Sequence, residues 1–176
     1  KRLLAYSSIG HIGYILIALV AANDHGVKAS SIYMFSYMVM NIAIFTILLS
    51  IKVKNEYLVN IGDLKGLSKS NPIVSLSISI IMLSMAGIPP FVGFFGKFYV
   101  FIAAIENDLY VLSILGVLAS VISAYYYLRI IKIMYFDEKN NEEKLIFKIS
   151  FQSKVILSLS LFIIICFIFY PSLLIN

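Results

Sequence analysis

Charge is scarce in this chain. Only 13% of its 176 residues are charged, 61% are hydrophobic, and mean hydropathy is +0.96. Soluble domains carry about 25% charged residues, so the composition points to a polytopic membrane protein. Cysteine is nearly absent. Cys166 stands alone in an apolar run, where a free thiol behaves as a small hydrophobe. With no Cys cluster and no CxxC, an iron–sulfur or zinc site is unsupported. No GxGxxG or Walker pattern appears, so nucleotide binding is unsupported too. Neither a metal site nor a cofactor site is expected. No signal peptide is visible and no Met precedes Lys1. The expectation is a fragment, or a chain numbered from inside a longer one.

What is present is a series of apolar runs about 20 residues long. Barrel strands would alternate over about ten residues, so the fold class is all-α, a transmembrane helical bundle. Span one is predicted over residues 3–22. Its polar members Ser7, His11 and Tyr14 share one helical face, which turns into the bundle. Span two is predicted over 29–51, with Tyr33, Tyr37 and Asn41 on a second such face. Interhelical hydrogen bonding, worth about 0.6 kcal/mol per contact, is sufficient reason for the tyrosines. His11 is open between that role and proton relay, because histidine titrates near neutrality. A polar loop follows over 52–71. Span four is predicted over 109–136, where Ser113, Ser120, Ser123 and Tyr127 run beside Gly116 and Ala119. Small residues on one face mark close helix packing, and Tyr125-Tyr126-Tyr127 reads as an interfacial anchor. Residues 137–154 form a charged surface loop. A terminal span lies within 155–176, ending at Pro171, and is peripheral to any polar pathway.

Between the loop at 52–71 and residue 105 lies the longest apolar region. It holds one ionisable side chain, Lys97, and one strong helix breaker, Pro89-Pro90. Charge decides whether it crosses once or twice. One crossing puts Lys1, Arg2, Lys52, Lys54, Lys65, Lys69, Arg129, Lys132, Lys139, Lys144, Lys148 and Lys154 on one side. Two crossings split them. The positive-inside rule selects one broken crossing, five in all, with the basic side facing cytoplasm or matrix. Orientation therefore accounts for the net charge of +5 without nucleic acid.

The break explains the lysine. Two prolines lack amide hydrogens, so the carbonyls of Met85 and Ala86 lose their helical donors. Gly87 adds backbone freedom. Lys97 follows about two turns later, and helical side chains lean toward the N-terminus, so its ammonium reaches back to those carbonyls. A central lysine costs about 2.5–3.5 kcal/mol on insertion scales. Snorkelling would relieve it, but Lys97 lies well inside the segment among Phe94, Phe95, Phe98 and Tyr99. Proton or ion handling is the favoured reading, as in discontinuous helices of transporters.

Three stretches together resemble a known family: Lys1-Arg-Leu-Leu-Ala-Tyr-Ser-Ser-Ile-Gly-His11, Leu83-Ser-Met-Ala-Gly-Ile-Pro-Pro-Phe-Val-Gly-Phe-Phe-Gly-Lys97-Phe-Tyr-Val, and Ser123-Ala-Tyr-Tyr-Tyr-Leu-Arg129. The chain is similar to the C-terminal part of the N-type antiporter-like subunits of complex I, the proton-pumping NADH:quinone oxidoreductase. Phe98 after Lys97 separates it from the L-type, and lysine in place of glutamate separates it from the M-type.

The resemblance implies that residues 1–136 belong to the second of two inverted antiporter-like repeats, with the first repeat absent. It implies that Lys97, His11 and Lys1 serve proton translocation, that Gly87, Pro89 and Pro90 form the helix break, and that Ser7, Tyr14, Tyr37 and Asn41 line the path. It further implies an inner membrane, bacterial or mitochondrial, and other complex I membrane subunits as partners. NADH, FMN, iron–sulfur clusters and quinone would be handled by those other subunits. The alternatives are a subunit of a multisubunit cation/proton antiporter or membrane-bound hydrogenase, and a non-conducting structural spacer.

Overall fold

The computed structural model describes residues 1–53, 56–57, 60–137, 146–147 and 150–167. It is a bundle of apolar helices. α1 spans Arg2–Val20 and α2 spans Asp24–Ser50. α1 is about 28 Å long at 1.5 Å per residue, close to the hydrocarbon thickness. α2 starts five residues earlier than residue 29 because Asn23 caps it, its side chain accepting from Gly26 N at 2.7 Å. Such a cap satisfies one of the first turn's orphan N–H groups. The link to α1 is correspondingly short. Gly26 is required there, since a Cβ would lie 2.3 Å from the Ala18 carbonyl oxygen.

Within the segment expected as a polar loop at 52–71, the described residues are structured. Strand β1, Ile51–Val53, pairs antiparallel with β2, Glu56–Tyr57, and with β3, Ile146–Phe147. A 3-10 turn, Ile61–Leu64, and the short helix α3, Leu67–Ser70, follow. The β-branched Ile51 and Val53 favour pairing. The small sheet ties the loop after α2 to the segment before the last helix, so 137–154 is not loop throughout.

α4, Pro72–Ala86, opens with proline in its first turn, where the missing N–H costs nothing. It ends at Gly87, with φ +83. Gly87 N donates to the Ser84 carbonyl and Ile88 N to that of Leu83, the paired bonds of a Schellman stop. The Pro89-Pro90 peptide is cis and both rings are exposed. α5, Val92–Ile105, resumes after the break. Along α2, Leu48 and Ile44 line one pocket with Ile78 and Met82, Met40 meets Ser84, Tyr33 meets Gly96, and Ala29 lines another pocket with Ile102. The order is monotonic, so α4 and α5 make one antiparallel pass along α2.

α6 is Tyr110–Phe136 and α7 is Phe151–Cys166. α7 begins four residues before residue 155, capped by Ser150, which accepts from Ser153 N. The predicted stop at Pro171 lies outside the described residues. α1, α2 and α6 are long and apolar enough to cross a membrane. α6 turns Val111, Ile114, Val121 and Ile122 outward, as a lipid or subunit interface requires. Lys1 shares a small pocket with Asn60, Leu64 and Ile130, at the end that holds the sheet. His25 and Glu106 meet at 3.9 Å at the other. Lys54, Lys139, Lys144 and Lys148 lie outside the described residues.

Candidate functional site

The interior polar groups converge where α1, α2, α5 and α6 meet. Lys97 is 4% exposed. Its ammonium donates to Met85 O at 3.2 Å, Ala86 O at 3.1 Å and Ser120 Oγ at 2.9 Å. The Schellman bonds satisfy Leu83 and Ser84, which leaves the carbonyls of Met85 and Ala86 for the lysine. Each charge-assisted bond contributes about 1.5–3 kcal/mol, enough together to offset the insertion cost of a lone lysine, about 2.5–3.5 kcal/mol. No carboxylate accepts from Lys97 among the described residues. The face of Tyr14 lies 5.0 Å from its nitrogen, a cation–π contact that further offsets desolvation.

His11 forms the second focus and is equally buried, at 3% exposed. Its Nδ1 meets the Tyr33 hydroxyl at 2.7 Å and its Nε2 the Tyr127 hydroxyl at 2.9 Å. Tyr127 is also bonded to Ser7 Oγ. Tyr37 stacks on the imidazole with ring centroids 4.5 Å apart. Each hydroxyl can donate or accept, so the cluster can hold either imidazole tautomer. Tyr14 lies against both foci, its ring 5.0 Å from the Lys97 nitrogen and 6.3 Å from the His11 imidazole.

Beside His11, between α1 and α6, runs a cleft of about 470 Å³, lined from α1 by Ser7, His11 and Tyr14 and from α6 by Gly116, Ser123 and Tyr126. Its walls are mostly apolar, with the polar groups of Ser7, His11, Tyr14, Ser123 and Tyr126 set among them. On α6, Ser123 Oγ donates to the Ser120 carbonyl at 2.7 Å.

The structure therefore gathers Ser7, His11, Tyr14 and Tyr37 around one site, with Lys97 and Gly87 against it. Pro89 and Pro90 shape the break from its exposed side. Asn41 is half-buried and joins none of these bonds among the described residues. Lys1 is exposed at the start of α1, about 15 Å from His11 by helix rise. Three members were not singled out as site residues from sequence: Tyr33, Ser120 and Tyr127. Tyr127 is 1% exposed, so it is an interior hydrogen-bonding group and not an interfacial anchor; only Tyr125 of that run is well exposed. Ser120 and Tyr127 are seven residues apart on one helical face, the signal that marks them as a pair. No three His, Cys, Asp or Glu side chains come together for a metal ion among the described residues.

Residues 1–123 match the family described as NADH:quinone oxidoreductase/Mrp antiporter, TM. NADH-quinone oxidoreductase subunit N of Paramagnetospirillum magneticum is 54% identical over 138 residues, 78% of this chain and 28% of that protein. Subunit N of Bartonella bacilliformis is 46% identical over 170 residues, 97% of this chain and 34% of that protein. The chain thus spans about a third or less of these curated relatives. A chain of respiratory complex I from Thermus thermophilus with bound aureothin superimposes with TM-score 0.81 at 29% identity, covering 98% of this chain and 38% of that one. A chain of the Mrp complex from Dietzia sp. shares the fold, with TM-score 0.77 at 21% identity, over 97% of this chain and 40% of that one. By the family match over residues 1–123, on top of the broken helix and its buried lysine, this chain belongs to the NADH:quinone oxidoreductase/Mrp antiporter transmembrane family.

Proposed function

We propose that this chain forms part of a membrane-arm subunit of NADH:quinone oxidoreductase and carries part of a proton path driven by electron transfer from NADH to quinone. The observation that carries this reading is Lys97, buried across a helix break with its ammonium on the freed carbonyls of Met85 and Ala86. Any buried ammonium needs such acceptors; a titrating one needs a neighbour to exchange with as well. His11 supplies the second titratable group, with Tyr14 between the two and Ser7 and Tyr37 lining the path around His11. Residues 1–136 act as the later part of one antiporter-like repeat, with Lys1 at its basic, cytoplasmic or matrix, end. Other complex I membrane subunits and the lipid of an inner membrane surround it. NADH, FMN, iron–sulfur clusters and quinone are handled by those other subunits.

The Mrp-type antiporter reading shares the fold, but the relatives at 46–54% identity favour the oxidoreductase. The test is Lys97→Ala in the full-length subunit of the assembled complex, in inverted membrane vesicles. NADH-driven proton uptake is expected to fall while the complex still assembles. Uptake equal to wild type would leave the spacer reading in its place.

A further inference from the structure

We propose that Ser120 on α6 is a proton-relay residue, the route by which Lys97 exchanges its proton with the cleft between α1 and α6. The proposal rests on the reading of Lys97 as a titrating group, and names the partner it titrates through.

An ammonium has three N–H donors, and all three are engaged: by Met85 O, Ala86 O and Ser120 Oγ. Two of these acceptors are backbone amide oxygens. They can hold the charge but are far too weakly basic to carry a proton away. The serine hydroxyl is the one acceptor that takes a proton on a lone pair and releases its own. Its position matches. Met85 and Ala86 belong to the break, away from the cleft, whereas Ser120 follows directly on Ala119, which lines it. Ser120 is on α6 three residues before Ser123, whose Oγ donates to the Ser120 carbonyl at 2.7 Å, and the Tyr14 ring lies 5.0 Å from the ammonium; Tyr14 and Ser123 line the cleft together with Ser7 and His11.

The step balances. A Lys97 N–H bond breaks as an O–H bond forms on Ser120 Oγ. The original Ser120 proton passes to the Tyr14 hydroxyl, and the original Tyr14 proton to a water in the cleft. Serine and tyrosine end neutral, Lys97 ends as the amine, and the positive charge has moved to the acceptor. The reverse sequence reloads the lysine. While Lys97 is charged, the carbonyls keep it seated, so the exchange needs no movement of the broken helix.

The test uses the full-length subunit in the assembled complex, with Ser120→Ala, Ser120→Thr and Lys97→Ala compared in inverted vesicles. NADH-driven proton uptake is measured in H2O and in D2O, alongside NADH:quinone turnover in uncoupled membranes. Ser120→Ala is expected to slow uptake roughly tenfold or more, the scale of losing a positioned proton-transfer group, and to enlarge the solvent isotope effect. Ser120→Thr, which keeps the hydroxyl, is expected to stay near wild type in both. Full uptake in Ser120→Ala beside a dead Lys97→Ala overturns the relay and leaves the proposed function standing. Reduced uptake in Ser120→Ala with an unchanged isotope effect, or failure of both serine variants to assemble, assigns Ser120 a packing role and also overturns it. Full uptake in Lys97→Ala sinks the underlying reading itself.

Discussion

Gly87 and Lys97 are in contact across the break: a Cβ on Gly87 would lie 2.9 Å from Lys97 Cδ and 3.2 Å from Nζ. Two separate constraints therefore act on this position. The backbone has φ +83, which costs an L-residue roughly 1–2 kcal/mol, and the space a side chain would use is filled by the lysine. Gly87→Ala is expected to push the ammonium off Met85 O and Ala86 O. Coupled proton uptake should fall clearly while the complex still assembles. Gly62→Ala is the control, because Gly62 is exposed with open space around it. Equal behaviour of the two variants would show that the seat of Lys97 does not matter.

The Tyr33 hydroxyl has His11 Nδ1 as its bonding partner, deep in the bundle. His11→Phe orphans that hydroxyl, at a cost of about 1–3 kcal/mol, whereas Tyr127 keeps Ser7. His11→Phe is therefore expected to lower the thermal stability of the complex, and His11→Phe with Tyr33→Phe to recover most of it. The double variant separates the two roles open to His11. A stable double variant with poor proton uptake identifies a relay; one with normal uptake identifies interhelical glue.

How much of this was legible depends on what each feature rests on. Run length revealed the apolar spans, and the distribution of lysines revealed that the broken segment passes once. Both are one-dimensional properties. The start of α2 lies ahead of the predicted residue 29 because Asn23-Asp24 is polar, and only its cap geometry makes it a first turn. The sheet was missed because strands of two or three residues are defined by their partners, and Ile146–Phe147 is about 95 residues from Ile51–Val53. The reach of Lys97 to the freed carbonyls followed from proline chemistry and helix direction. Ser120 did not follow. A serine beside Gly116 and Ala119 serves close packing equally well until α5 is set against α6. Tyr127 is similar: successive residues turn about 100° around a helix, so one tyrosine of three points inward, and the register with Ser7 and His11 selects which.

Gly93 fixes α5 against α4. A Cβ there would sit 1.9 Å from the Ser84 carbonyl oxygen and 2.7 Å from its carbon, and Ser84 Oγ accepts from Gly93 N at 3.2 Å. Backbone atoms of a helix cannot swing aside as a side-chain tip can. Gly93→Ala is expected to cost at least the upper end of the about 1–3 kcal/mol seen for overpacking, and to reduce the amount of assembled complex on native gels. Normal assembly would mean that the two half-helices separate easily.

Substitutions at Lys97 itself separate charge from titration. Lys97→Met removes both the ammonium's insertion cost, about 2.5–3.5 kcal/mol, and the bonds that offset it, while a flexible thioether fills similar space. The variant is expected to assemble and to lose coupled proton uptake. Lys97→Arg keeps the charge, but guanidinium does not release its proton in proteins. It also brings five donors to a site that offers three acceptors, so assembly should be weaker than for methionine. If the lysine works by exchanging a proton, arginine is as inactive as methionine in uptake per assembled complex. If arginine retains uptake, a fixed positive charge beside the break is sufficient, and protons travel along the hydroxyls and water of the cleft without ever residing on residue 97.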